Sequence, residues 1–278
     1  MKKTIAFQGV FGAYSHLACL ELYPNATYLP CASFVEAFQA VQANAADLAV
    51  IPIENSNAGR VADVHFLLSE TPLHIIGEYF LPIHHHLIGL PQATLKDIKE
   101  VHSHPQALAQ CSIFLQKNKI QPLPETDTAL SCRLIKENQD ISNAAIASEV
   151  AAKLYDLKIL ASQIENAHNN TTRFLIMSKQ EILPENDGEK FITSLIFNTQ
   201  NIPSALYKAL SGFAKHSINI TKLESYLLEG KFVSARFYLE VEAHLKDTSL
   251  QNALSELKLY CKDLTILGTY KAHPYRYA

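Results

Sequence analysis

The stretch Leu48-Ala49-Val50-Ile51-Pro52-Ile53, followed by Glu54-Asn55-Ser56-Asn57-Ala58-Gly59, sets the class of the fold. Its first six residues are nearly continuous in apolar character, as in a strand covered on both faces. Pro52 has no amide hydrogen, so full pairing is not expected near the end of this strand. The polar run that follows stands just past the strand, where open α/β sheets gather their ligands.

The neighbouring segments fit the same class. Ser103-His104-Pro105 reads as a helix start with Pro105 in the first turn. Leu108, Cys111 and Leu115 then recur on one face of a helix. Thr126-Asp127 offers another cap ahead of Leu130 and Leu134, and Asn143-Ala144-Ala145-Ile146-Ala147 reads as a short strand leading into a helix from Ser148. Such alternation over residues 1–180 predicts an α/β unit with a largely parallel sheet.

The character changes at Leu183-Pro184-Glu185-Asn186-Asp187-Gly188, a polar linker between apolar runs. Phe191 to Phe197 is strand-like, Pro203 opens a helix carrying Leu206, Leu210 and Phe213, and Ile218 to Leu223 is strand-like again. Glu229-Gly230 signals a turn. Val233, Ala235, Phe237, Leu239 and Val241 then alternate with polar neighbours, the period of a half-buried strand. Asp247 caps a helix with Leu250, Leu254 and Leu257, and residues 264–270 form a last strand. The order β-α-β-β-α-β is the ferredoxin-like split unit.

Bulk properties exclude several classes. With 278 residues, 48% of them hydrophobic and 18% charged, the chain can build packed cores, and disorder is not expected. A net charge of −3 without a basic, aromatic-interleaved stripe argues against nucleic acid. Five scattered cysteines with no Cys-x-x-Cys pair suit a reducing compartment and neither a disulfide framework nor a cysteine-rich zinc site. The opening apolar run Thr4-Ile5-Ala6-Phe7 is too short for a signal peptide or a membrane span, so a soluble cytoplasmic protein is expected. His84-His85-His86 invites a metal reading. Adjacent residues of a strand point to opposite faces, however, and three in a row do not converge on one ion, so no metal is assigned.

Four loops carry the candidate chemistry. In Gln8-Gly9-Val10-Phe11-Gly12-Ala13-Tyr14-Ser15, two glycines permit close approach of an anion at a helix start, although a plain tight turn explains them equally well. The loop lacks the dinucleotide fingerprint, so no nicotinamide cofactor is implied. Pro52 to Gly59 concentrates polar groups, Ser103-His104-Pro105-Gln106 opens a helix, and Asn169-Asn170-Thr171-Thr172-Arg173-Phe174 sets amides, hydroxyls and a guanidinium before an apolar strand. Arginine there suits a carboxylate, and threonine can donate a hydrogen bond.

Taken in order, the Gly-x-x-Gly-Ala-Tyr-Ser, Pro-Ile-Glu-Asn-Ser-x-x-Gly, His-Pro-Gln and Asn-x-Thr-Arg-Phe segments resemble the prephenate dehydratase family over almost the whole chain. The downstream unit resembles its ACT regulatory domain. The resemblance implies a two-lobed catalytic domain like type II periplasmic binding proteins at residues 1–180, with lobe one at 1–78 and 160–180 and lobe two at 79–159. The ACT domain falls at 190–272. It implies a monofunctional enzyme with no cofactor, since aromatising the ring drives the reaction. Thr172 would assist the departing hydroxyl and Arg173 hold a carboxylate, with Asn55, Gln106 and, less securely, Glu54 as further catalytic residues. Gly12, Ala13, Ser15, Ser56 and Phe174 would bind substrate. Phenylalanine would act through Asn201, Pro203, Ser204, Ala205, Leu206, Glu224 and Ser225 in a homodimer or homotetramer. Two departures bear on that control. Ser204 stands where glycine is usual, and Tyr226-Leu227 replaces Arg-Pro. Phe11, in the first loop, stands where proline is usual. An arogenate dehydratase, a solute-binding module and an amino-acid sensor are the competing readings.

Overall fold

The computed structural model describes the chain except Met1, His168, Asn201, Glu229 and Gly230, and except the side chains of residues 227–228 and 231–235. It divides into two compact units. One comprises residues 1–61 and 79–174, the other 62–78 and 175–278.

The first unit is built on two sheets. Its elements are β1 (Thr4–Gln8), α1 (Tyr14–Leu22), β2 (Thr27–Cys31), α2 (Phe34–Gln42), β3 (Leu48–Asn55) and β4 (Gly59–Arg60). The chain then leaves through α3 (Ala62–Leu68) and re-enters along β5 (His74–Pro82). There follow β6 (His86–Gly89), β7 (Glu100–Ser103), α4 (Pro105–Gln110), α5 (Ser112–Asn118), β8 (Gln121–Pro124), α6 (Thr128–Asn138), β9 (Asn143–Ala147), α7 (Glu149–Leu154), β10 (Lys158–Ala161) and β11 (Thr171–Ser178). One sheet has the order β2-β1-β3-β11-β5, with β4 paired to β3, and the other the order β10-β6-β9-β7-β8. The chain therefore crosses between sheets twice, after β5 and before β11. Parallel pairs join β1 to β2 and β3, and β7 to β8 and β9, while β6 runs antiparallel to β9 and β10.

Three local expectations shift. The strand from Leu48 passes straight through Pro52 and holds an inner place in its sheet. Its ladder to β1 covers only Leu48 to Val50 and stops short of the proline, which has no N–H to give. The helix read through Leu108, Cys111 and Leu115 is broken at Cys111 into α4 and α5. Asn166 accounts for the break. Its Oδ1 accepts from Ile113 N at 3.1 Å, and its Nδ2 donates to Ala109 O and Ser112 Oγ. The Asp127 cap forms as read, accepting from Ala129 N and Leu130 N, but Ala129, Cys132 and Ile135 carry the buried face rather than Leu130 and Leu134.

The second unit contains β12 (Phe191–Thr199), α8 (Ala205–Lys215), β13 (Ile220–Leu228), β14 (Lys231–Val241), α9 (Thr248–Lys258) and β15 (Cys261–Lys271). Its sheet has the order β13-β14-β12-β15 with antiparallel pairs, the ferredoxin-like topology read from the pattern. One face buries Leu195, Phe197, Phe237, Leu239 and Val241 against Ala209, Phe213, Leu250 and Leu257 of the helices. The alternation in β14 predicted an exposed opposite face, yet Tyr238 and Glu240 are wholly buried. Segment 62–78 and the C-terminal turn supply the cover. The His65 ring lies 5.2 Å from that of Tyr238, and Arg276 bonds both Glu78 and Glu240. At Gly268 a Cβ would lie 2.0 Å from Ile75 O, so only glycine admits this backbone approach. Asp247 stands at the start of α9, but its carboxylate accepts from His244 N and Asn186 Nδ2 and makes no cap bond. The Glu229-Gly230 turn signal lies outside the described residues.

Candidate active site

The first unit encloses a cavity of about 430 Å³ lined from both of its sheets, with Pro52, Asn55 and Thr172 on one side and His85, His104, Gln106, Gln110 and Asp127 on the other. Tyr14, Arg60 and Asn170 also reach the wall.

Asn55 organises one side. At the end of β3 its Oδ1 accepts from Asn57 N at 3.0 Å and Ala58 N at 2.9 Å, a turn that asparagine makes with its own backbone. Those two bonds fix which end of the amide is oxygen. Its Nδ2 then donates to Thr172 Oγ1 at 2.9 Å and Asn170 Oδ1 at 2.8 Å. From Asn170 the chain of bonds continues. Asn170 Nδ2 reaches Gln110 Oε1 at 3.3 Å, which also lies 2.8 Å from His85 Nε2, and His85 Nδ1 lies 2.7 Å from the Tyr14 hydroxyl. Burial pushes the His85 imidazole below its ordinary value, and burial raises the Tyr14 phenol well above its own. Both are neutral near pH 7, and the one Tyr14 O–H lies between two acceptors, the His84 carbonyl at 2.8 Å and His85 Nδ1. His84 points elsewhere. Its Nδ1 is 2.9 Å from Glu165 Oε1, and Glu165 Oε2 accepts from His85 N. Burial by itself would raise the Glu165 carboxyl, but these bonds outweigh it and hold the group below its usual value.

Of the residues singled out from sequence, Thr172, Asn55 and Gln106 line the cavity. Arg173 does not. Successive strand residues face opposite ways, so Thr172 turns to the cavity and Arg173 turns behind β11. There it is 2% exposed, with its guanidinium 2.9 Å from Glu54 Oε1 and 5.8 Å from the centre of the Phe80 ring. Glu54 is thus the partner of Arg173 and also lies off the wall. Phe174 is a core side chain at 1% exposure. The amides of Gly12 and Ala13 are already spent, on His16 Nδ1 at 3.1 Å and Val10 O at 3.1 Å. Gly12 has φ +92°, and a Cβ there would press on Ala151 at 3.1 Å, so its glycine serves packing. Ser15 is buried and off the wall. Ser56 ties the loop to β11 through Asn169 O and Thr171 N.

Arg60, Gln110 and Asp127 are wall residues that sequence reasoning missed. The signal for Arg60 was the short turn Ser56-Asn57-Ala58, which folds β4 back on β3 and sets Arg60 opposite Glu54. Gln110 offered none, because its place depends on the break at Cys111. In the second unit, Ala205 is buried, Leu206 half-buried, and Pro203, Ser204 and Ser225 exposed, while Glu224 lies 3.5 Å from Lys222 Nζ. Asn201 lies outside the described residues. Helix α8 starts at Ala205 rather than Pro203, and Ser204 before it has φ +64°, in the left-handed region.

The model of the prephenate dehydratase family matches residues 5–182. The chain belongs to the prephenate dehydratase family. Among relatives, a bifunctional N-acyl-homoserine lactone acylase/prephenate dehydratase of Komagataeibacter europaeus is 43% identical, across 99% of this chain and 98% of that protein. Arogenate dehydratase/prephenate dehydratase 1 of Arabidopsis thaliana is 40% identical across 97% of this chain and 72% of its own length. The Arthrobacter aurescens prephenate dehydratase, solved in complex with L-Phe, superposes with a TM-score of 0.89 at 29% identity, covering 97% and 90% of the two chains. The mixed α/β architecture with its ferredoxin-like second unit is thus that of a prephenate dehydratase.

Proposed function

We propose that this protein is a prephenate dehydratase of L-phenylalanine biosynthesis, converting prephenate to phenylpyruvate, carbon dioxide and water. The observation that carries the reading to residues is the bond from Asn55 Nδ2 to Thr172 Oγ1 on the cavity wall. Prephenate holds a carboxylate and, across the cyclohexadiene, a hydroxyl. When the ring–carboxylate bond breaks, carbon dioxide leaves and the electron pair enters the ring. The hydroxyl departs with the displaced pair and becomes water once protonated from solvent. Aromatisation supplies the driving force, so the barrier lies in a poor leaving group.

Thr172 Oγ1 is occupied as an acceptor by Asn55, which leaves its own O–H to donate into the cavity. A threonine hydroxyl is a weak acid, so its role is a hydrogen bond to the leaving oxygen that strengthens as charge develops. Arg60, on the wall, takes the side-chain carboxylate in place of Arg173. Gln106 orients the substrate, Asn55, whose amide is spent on Thr172, Asn170 and its own turn, positions the Thr172 hydroxyl, and Arg173 with Glu54 supports β11 and β3 from behind. The ring carboxylate is best held loosely, because tight ground-state binding opposes its loss. Thr172→Ala is the test. Turnover should fall by about 10²-fold or more with KM little changed. Near-native kcat would sink the assignment.

Residues 1–180 form the catalytic domain in this reading, and 190–272 an ACT-type regulatory domain to which segment 62–78 packs. Its βαββαβ order and the L-Phe complex of the Arthrobacter aurescens relative support phenylalanine as effector, through Pro203 to Leu206 and Glu224-Ser225. An ACT pairing makes a homodimer the minimal assembly, with a tetramer built on it. A cytoplasmic setting fits five free cysteines and the finding that no helix among the described residues is long and apolar enough to cross a membrane. Titrating phenylalanine against activity tests the control. A flat response up to millimolar effector would count against it.

A further inference from the structure

We propose that Tyr14 and His85 form the proton relay of this cavity, with His85 taking up one proton as the dianionic substrate enters and Tyr14 passing a proton to the departing hydroxide. The proposal rests on the dehydratase reading above. Three contacts carry it, and in the free enzyme they share two protons. The amide chain fixes the first contact. Asn55, set by its own turn, donates to Asn170, and Asn170 donates to Gln110 Oε1. An oxygen therefore faces His85 Nε2 at 2.8 Å, and the ring proton of neutral His85 lies there. The other two contacts run from the Tyr14 hydroxyl to His85 Nδ1 at 2.7 Å and to the His84 carbonyl at 2.8 Å, and one phenolic proton serves both. A further proton on Nδ1 completes the set, with Nε2–H on Gln110, Nδ1–H on Tyr14 and the Tyr14 O–H on His84 O. The site is thus built to hold a proton that the neutral ring lacks.

The charges around the pair set when that proton is taken. Behind the ring, the ionised Glu165 accepts from His85 N and lies 2.9 Å from His84 Nδ1, and it favours an imidazolium. Burial and the neighbouring His86 and His84 oppose one, so His85 is neutral in the free enzyme. Cys111 and Cys132, on the Tyr14 side, are kept as thiols by burial and add no charge. Arg60, Asp127 and His104 complete the ionisable groups of the wall. Two carboxylates arriving with prephenate tip the balance towards the cation. The reaction then consumes the proton. Two negative charges enter, one leaves with phenylpyruvate, and the other departs as hydroxide beside neutral carbon dioxide. As the carbon–oxygen bond breaks with its pair on oxygen, the Tyr14 O–H gives its proton to that oxygen, and Nδ1–H gives its own to the phenol oxygen. Water forms, and His85 returns to the neutral ring with Nε2–H still on Gln110. Both side chains line the cavity that holds Thr172, whose hydroxyl steadies the same leaving oxygen.

Steady-state kinetics on prephenate from about pH 6.5 to about pH 8.5 read the uptake. A free enzyme that must gain a proton loses kcat/KM about tenfold per pH unit above the titration of the group that takes it. The parent should show that slope, His85→Gln should be flat, and His104→Gln, which removes the other imidazole of the wall, should keep it. Tyr14→Phe should lower kcat by about 10²-fold or more, the scale for losing a general acid. Rapid mixing of the parent with prephenate in weak buffer containing a pH indicator should show about one proton per site taken up before phenylpyruvate absorbance rises. A flat parent profile, or no uptake ahead of product, overturns the inference, and prephenate turnover then leaves the dehydratase reading standing. Both of these measurements use the parent and need no variant to fold. A slope kept in His85→Gln, or near-parental kcat in Tyr14→Phe, overturns the relay as well. A parent that does not turn over prephenate overturns the dehydratase reading and the relay with it.

Discussion

Arg173 sits in the most distinctive motif of the chain, yet the structure turns it away from the cavity, and a double-mutant cycle with Glu54 tests that orientation. The two charges meet at 2.9 Å, with side chains 3% and 30% exposed. At an effective dielectric near 20, opposite charges about 4 Å apart attract by roughly 4 kcal/mol, and desolvation cancels much of it. The asymmetry in burial sets the order of the effects. Glu54→Gln leaves the deeper charge without its carboxylate and should destabilise by about 3–5 kcal/mol. Arg173→Met leaves a carboxylate that water still reaches, at about 2–3 kcal/mol. The pair should cost less together than the sum, by a coupling of about 2 kcal/mol. Urea unfolding supplies the stabilities and prephenate kinetics the KM of each variant. A native-like midpoint in Arg173→Met together with a KM raised tenfold or more would refute the reasoning and return Arg173 to the substrate.

Three further outcomes follow from single positions. Ser204→Gly should stabilise the second unit by about 0.5–1 kcal/mol, read as a raised Tm, since φ +64° strains any side chain there. Gly268→Ala should destabilise by about 3 kcal/mol or more, since its Cβ would meet the Ile75 carbonyl at 2.0 Å. A soluble variant with parental Tm would contradict that packing. His85 is held below its ordinary value by burial, so the unfolded chain takes up its proton first as pH falls. Stability from this group is full above the unfolded pKa of about 6.5 and is lost between there and the lower folded value. Parent and His85→Gln melting curves should converge across that acid window. Parallel curves would show that another group titrates.

Much of the fold was legible because local chemistry and packing agree. The buried run Leu48 to Ile53, the Asp127 cap and the β-α-β-β-α-β order each rest on residues within one element. The candidate loops were legible as a set, and Thr172, Asn55 and Gln106 do line one cavity. The failures lie where a residue's role depends on a distant neighbour. Arg173 reads as a ligand for an anion until Glu54 stands behind it. The Gly12 amide reads as an anion donor until the His16 ring takes it. Tyr238 and Glu240 read as solvent-facing until segment 62–78 and Arg276 cover them. Hydrophobic period and capping act over a few residues and are written in the chain itself. Which side of a strand meets a cavity, a carboxylate or another backbone is set by segments brought together only on folding. For that reason residue order was enough to give the class and the family, and packing was needed to select Arg60, Gln110 and Asp127 for the wall.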